Sequence, residues 1–179
     1  MTPLGEFAIK HGTNKADEGY TPFYYELFKG RAVTRLLELG IGGPGLSGGA
    51  SKHGASLYMW REFFPLANIY GVDIDRRLLF TADRIETAYA DVHSYTSLLA
   101  AVHWLGGRFD LIIDDAVHLP GPQTLACKTL LPFLAPGGVY IIEDVANCPP
   151  REIIDQLPDN YSRYSVQCKN WPLVVVFRH

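Results

Sequence analysis

The run LLELGIGGPG, from Leu36 to Gly45, decides how the rest of the chain is read. A short apolar stretch suited to a strand passes into Gly40, Gly42 and Gly45, a G-x-G-x-x-G spacing that lets backbone approach a ligand closely. Beyond the loop, ASLYMWREFFP carries Leu57, Trp60, Arg61 and Phe64 at helical spacing. Strand, glycine loop and helix in that order open a nucleotide-type fold. Taken alone, the glycines fit a turn needing positive φ almost as well, so the flanking sequence has to choose.

The alternation continues on the carboxyl-terminal side. NIYGVDID, IETAYAD, FDLIIDD and GGVYIIEDV read as strands, and YTSLLAAVHWL and GPQTLACKTLLPFL as helices, which implies parallel βαβ crossovers. PREIIDQL then reads as a short helix. YSRYSVQCKN and WPLVVVFR read as two final strands with a turn near Asn170. The expected fold class is α/β, a Rossmann-like, doubly wound and mostly parallel seven-stranded sheet with a carboxyl-terminal antiparallel hairpin. On the amino-terminal side, a short apolar segment at Leu4 to Ile9 precedes TPFYYELFKG, where Thr21 suits a cap, Pro22 a first helical position and Gly30 an end. Tyr20, Phe23, Tyr24, Leu27 and Phe28 follow helical spacing and form an aromatic face, either packed on the core or laid over a ligand as a lid. Residues 1–30 are therefore read as a helical or lid segment of a single domain spanning 1–179.

A chain of 179 residues, 47% hydrophobic, can bury the core of one ordinary domain. Its formal charge of -3 gives no broad basic surface, which argues against a nucleic-acid partner. Cys127, Cys148 and Cys168 are odd in number and lack any CxxC spacing, so neither a disulfide framework nor a zinc site is expected and a reduced, cytoplasmic setting fits. The first residues, MTPLGEFAIKHGTNK, hold no apolar run of signal-peptide or membrane-span length, so no membrane partner is expected.

Asp73 ends the second strand, where an acid commonly binds ribose hydroxyls, and Asp91 follows the third at the same sheet edge. A dinucleotide site enters its helix straight from the third glycine, whereas LSGGASKHG intervenes here, which disfavours NAD. Glu38, just before Gly40, suits a ligand carrying an amino group and a sulfonium. The combination of LLELGIGGPG with GVDID and YADVHS resembles the class I S-adenosylmethionine-dependent methyltransferases, whose sheet has seven strands with the last antiparallel. Glu38, Gly40, Gly42, Asp73, Asp91 and Asp114 are the expected cofactor-binding residues.

Chemistry is expected at FDLIIDDAVH, Phe109 to His118. Alternation sends Asp114 and Asp115 to opposite sides if the strand persists. Asp115 then joins Glu143 and Asp144, which end the next strand, and three carboxylates at neighbouring strand tips call for raised pKa values or a cation. All-oxygen ligands suit a hard ion such as Mg²⁺. His118, three residues beyond Asp115, suits a general base because its ordinary pKa lies near neutrality. His53 and His93 are weaker candidates, His11, His103 and His179 have no supporting pattern, and Trp60, Trp104 and Trp171 read as packing residues.

HGTNKADEGYTPFYYELF, GASLYMWREFFPLANIYGVDID, FDLIIDDAVH and LAPGGVYIIEDV, with the glycine loop, are together similar to the catalytic domain of mycinamicin and macrocin sugar O-methyltransferases, and less closely to the cephalosporin hydroxylase-related proteins. The most specific part is G-T-x-K, S-L-x-M-W, D-D-x-x-H and I-E-D in that order, within residues 11 to 145. This resemblance implies Mg²⁺ on Asp115, Glu143 and Asp144, His118 as base, and a small-molecule hydroxyl acceptor, a sugar of a glycosylated natural product. It leaves a homo-oligomer open. The resembling enzymes carry a further amino-terminal region used in assembly, and AVH here replaces their small polar residues between aspartate and histidine. The competing readings are a metal-dependent catechol-type O-methyltransferase, which typically has a lysine base after the fourth strand, a noncatalytic S-adenosylmethionine-binding module and a dehydrogenase.

Overall fold

The apolar runs pair in one sheet. The computed structural model describes residues 1–42 and 53–179, and in them the strands are β1 (Arg35–Leu39), β2 (Asn68–Asp73), β3 (Thr81–Ala82), β4 (Ile85–Tyr89), β5 (Phe109–Asp114), β6 (Leu134–Ile142), β7 (Ser162–Gln167) and β8 (Pro172–Phe177). Their order is β3-β4-β2-β1-β5-β6-β8-β7. The strands from β4 to β6 are mutually parallel, and β8 lies antiparallel between β6 and β7. The seven expected strands are all present. The eighth, β3, pairs with β4 through only two residues, too few to show any periodicity in a sequence.

Among the described residues six helices cover the sheet: α1 (Pro3–His11), α2 (Thr21–Phe28), α3 (Ala55–Phe63), α4 (Tyr95–Trp104), α5 (Pro120–Leu130) and α6 (Pro150–Ile154). Alternation divides the strand residues between two cores. Leu36, Leu111, Ile113 and Ile141 pack with Leu4, Tyr24 and Trp60 on one face. On the other, Leu37, Leu39, Ile112 and Ile142 pack with Leu98, Cys127 and Ile153. This parity determines below which acid faces which side.

One amino-terminal reading is made more specific and another is corrected. Leu4 to Ile9 belong to a full helix, α1, because Thr2 accepts from Gly5 N–H at 3.2 Å as its cap and Pro3 occupies the first turn. Thr21 is not a cap: Tyr20 holds that position without a side-chain cap bond, and α2 begins at Thr21. The aromatic face is core rather than lid, since Tyr20, Tyr24 and Phe28 are buried and Phe23 and Leu27 pack against them. Gly45 lies outside the described residues. No helix among the described residues is long and apolar enough to cross a membrane.

Candidate functional site

The sheet order reverses between β1 and β5, and ligands of such sheets bind beyond the carboxyl ends of the strands at that point. A cavity of about 820 Å³ lies there. At one end it is lined by Gly40, Gly42, Asp73 and Asp91, and at the other by Asp115, His118 and Asp144.

Gly40 follows β1 with φ of 81°. A Cβ at that residue would sit 2.3 Å from the Asp115 carbonyl oxygen, so the loop after β1 can lie on the loop after β5 only with glycine. A Cβ on Gly42 would meet nothing within 4 Å among the described residues. Asp73 Oδ2 accepts from Ile41 N–H at 3.1 Å and its Oδ1 from Asp75 N–H at 2.9 Å, which joins the ends of β1 and β2. Asp91 Oδ1 accepts from His93 N–H at 2.9 Å and faces the His93 ring at 3.1 Å. Glycine backbone lining the cavity and two acids at successive strand ends suit a nucleoside-containing cofactor.

The other end is built by strand parity. Glu38, Asp115 and Glu143 follow Leu36, Ile113 and Ile141 by two residues each and project to the face that α1, α2 and α3 cover. Three acids on one covered face need a counter-charge. Lys15 supplies it. Gly12 ends α1 in the left-handed region, Thr13 caps a single 3₁₀ turn, and that turn aims Lys15 inward until it is 1% exposed. Its Nζ lies 2.8 Å from Asp115 Oδ2 and 3.1 Å from Glu38 Oε1, and donates to Glu143 Oε2. Tyr24 O–H donates to Glu143 Oε1 at 2.6 Å, and Tyr20 O–H donates to Asp144 Oδ1.

Burial alone would lower the pKa of the Lys15 ammonium, but Asp115, Glu143 and Glu38 together hold it well above its ordinary value. Burial pushes Glu143 and Glu38 up against the pull of Lys15. Asp115 is held down at about 2, because Lys15 and His118 outweigh its burial. The hydrogen bond to Asp115 raises His118, whose Nε2 lies 3.3 Å from Asp115 Oδ1 and 3.3 Å from Asp144 Oδ2. Asp144 takes φ of 49°, an uncommon conformation for a residue other than glycine, as the chain leaves β6.

Residues 50–145 match the family described as a methyltransferase domain, Methyltransf_24. The chain belongs to that methyltransferase family. It is 38% identical over 154 residues, 82% of this chain and 38% of the relative, to the 8-demethyl-8-(2-methoxy-alpha-L-rhamnosyl)-tetracenomycin-C 3'-O-methyltransferase of Streptomyces olivaceus. It is 35% identical over 150 residues, 79% of this chain and 36% of the relative, to the mycinamicin VI 2''-O-methyltransferase of Micromonospora griseorubida. The chain thus spans well under half the length of these curated relatives. Among solved structures it resembles the MycE methyltransferase from the mycinamycin biosynthetic pathway in complex with Mg, SAH and mycinamycin VI. The TM-score is 0.78 at 26% identity, over 99% of this chain and 55% of that one.

Three expected site residues are placed differently. Glu38 is fully buried, faces Lys15 and lines no part of the cavity. Asp114 projects to the opposite sheet face, where Tyr140 O–H donates to its Oδ2 at 3.2 Å and burial pushes its pKa to about 7. Glu143 is committed to Lys15 and Tyr24. Among the described residues the group whose ligand atoms lie within 4.8 Å of one another is Asp115, His118 and Asp144, without Glu143. Trp171 lines the cavity instead of packing inside, whereas Trp60 is buried. His53 turns to the Leu78 carbonyl. Lys15 was missed altogether as a site residue, although G-T-x-K was a visible motif and the shared parity of Glu38 and Glu143 called for a cation.

Proposed function

We propose that this chain is the catalytic domain of an S-adenosylmethionine-dependent O-methyltransferase that modifies a hydroxyl of a glycosylated small molecule with the aid of a hard divalent ion. The observation that carries the reading is His118 Nε2, set 3.3 Å from both Asp115 and Asp144 in the same cavity as Gly40, Asp73 and Asp91. The acceptor class is supported by the tetracenomycin relatives, whose names describe O-methyltransferases of rhamnosyl compounds. One sheet with a continuous core on each face supports treating residues 1–179 as one domain.

Gly40 and Gly42 would give the cofactor backbone access, Asp73 would bind its ribose hydroxyls and Asp91 would lie near its adenine. Asp115 and Asp144, each presenting an oxygen beside the His118 ring, fit Mg²⁺ and would hold it. When bound, S-adenosylmethionine supplies a methyl carbon on a positively charged sulfur, and the ion supplies Lewis acidity toward the acceptor oxygen. The His118 imidazole would take the acceptor hydroxyl proton, and the Asp115 and Asp144 carboxylates beside Nε2 would stabilise the imidazolium that forms. Lys15 is no base, because its three carboxylates hold its proton; it fixes Asp115 and Glu143 in place. This separates the site from the lysine-base arrangement of catechol-type enzymes.

Mass spectrometry of a panel of glycosides, aglycones and catechols incubated with isotope-labelled S-adenosylmethionine tests the reading. Glycosides should gain one labelled methyl, and chelator should abolish the gain while leaving S-adenosylhomocysteine binding intact. Transfer to catechols alone, or undiminished transfer in chelator with no metal found in the protein, would overturn it.

A further inference from the structure

At its acceptor end the cavity is walled by two segments far apart in sequence that hold each other. One is the turn from Thr13 to Gly19, the other the connection between β7 and β8. Asn170 Nδ2 donates to Glu18 Oε2 at 2.7 Å, and Lys169 Nζ donates to the Asp17 carbonyl at 3.0 Å. The Lys169 side chain lies so close to Gly19 that a Cβ there would sit 2.6 Å from it. From the other side, Val145 N–H donates to the Pro172 carbonyl at 3.2 Å, which fixes the start of β8 beside the residue that follows Asp144. Trp171 stands between these two attachments. It is 44% exposed and lines the cavity with Asp144, His118 and Glu18.

A single exposed apolar side chain needs no explanation on an open surface. An indole tethered on both sides and turned into a cavity beside an ionisable pair is different. Its face carries negative charge density, and its body is apolar and rigid. A pyranose ring offers the complement: one face of C–H groups bearing slight positive charge, and hydroxyls around the edge. We infer that Trp171 is the platform on which the acceptor sugar stacks, with Glu18 on the same wall to meet its hydroxyls, and that this contact aims one ring hydroxyl at His118. The inference deepens the proposed function and rests on its glycosylated acceptor. Trp171 is a specificity-determining residue that touches substrate without entering the chemistry.

The test uses the whole chain, ¹⁵N-labelled and saturated with S-adenosylhomocysteine, titrated with methyl α-L-rhamnopyranoside as probe. The indole N–H resonance that disappears in Trp171→Phe should shift saturably, while those of Trp60 and Trp104 stay still. Trp171→Ala should weaken probe binding about tenfold or more and Trp171→Phe by no more than about threefold, in line with the dominance of tryptophan anchors at binding sites. In turnover of a glycoside found by the methyl-transfer panel, Trp171→Ala should raise KM by a similar factor and, because the ring loses its aim at His118, lower kcat as well, while S-adenosylhomocysteine affinity stays near the parent value. An immobile Trp171 resonance through tens of millimolar probe, or an unchanged glycoside KM in Trp171→Ala, overturns the platform while leaving methyl transfer standing. Intact S-adenosylhomocysteine binding with no transfer to any glycoside overturns the acceptor class and the platform with it.

Discussion

The two ends of the cavity are built by opposite means. At the ends of β2 and β4, Asp73 and Asp91 accept from backbone donors two residues further on or on the adjoining loop, and neither leans on a buried cation. At the ends of β1, β5 and β6, Glu38, Asp115, Glu143 and Asp144 are bound to Lys15, His118, Tyr20 and Tyr24, residues up to 128 positions away. The first end is a set of independent contacts, each removable at its own cost. The second is one charged unit, in which deleting any member strands the others in low dielectric, so single substitutions there should be strongly non-additive.

The contrast breaks if function and stability do not separate along it. The largest effect should come from His118→Ala: single-turnover methyl transfer should fall by about 10²–10⁴, the usual worth of general-base catalysis, with S-adenosylhomocysteine affinity unchanged. A loss of only a few-fold would make His118 a bystander. Lys15→Met should then cost about 3–5 kcal/mol in denaturant unfolding, the range for breaking a buried ion pair by removing one partner. Lys15→Met unfolding at the parent midpoint would mean that Glu38, Asp115 and Glu143 do not depend on a shared cation.

Asp114 sharpens the comparison because it is buried beside that unit but on the other sheet face. Its folded pKa of about 7 exceeds the ordinary carboxyl value of 3.8, so the folded state holds a proton that the unfolded chain releases between them. Its contribution to stability is full below about pH 4 and is lost as pH rises through 7, by roughly 4 kcal/mol for about three units at about 1.4 kcal/mol each. Asp114→Asn should therefore lie closest to the parent at pH 4–5 and gain on it at pH 8. An equal stability difference at both pH values would remove the buried neutral carboxyl. The smallest effect is expected at the local end. Asp73→Ala should weaken S-adenosylhomocysteine binding by about 1.5–3 kcal/mol in calorimetry, as for a lost hydrogen bond to an ionised group, with little change in unfolding midpoint.

The fold was legible because its signals are local. Apolar runs, glycine after β1 and helical spacing each sit within a dozen residues, and Asp73 and Asp91 could be placed from strand ends alone. β3 escaped notice because Thr81 and Ala82 are too few to show alternation. The acid end was legible in composition but not in direction. Asp115, His118 and Asp144 were grouped, yet Glu143 was given to a metal although β6 alternation sends it with Ile141 toward α2. Glu38 was given to the cofactor although it follows Leu36 onto that same covered face. A pattern read along the chain reports an acid at a strand tip. It does not report a lysine 100 or 128 residues away, brought in by one 3₁₀ turn.

The burial of Lys15 also makes the molecule its own gauge of opening. An amine-modifying reagent meets Lys10 freely, since that side chain is 61% exposed, but reaches Lys15 only when the segment between α1 and α2 lifts from the strand ends. Where reclosing outpaces modification, the labelling rate of Lys15 against that of Lys10 measures the population of this lifted state. A ligand that seals the cavity should slow it. The same peptide mass spectrum would thus count how often the acid cluster sees water, without a substitution anywhere in the chain.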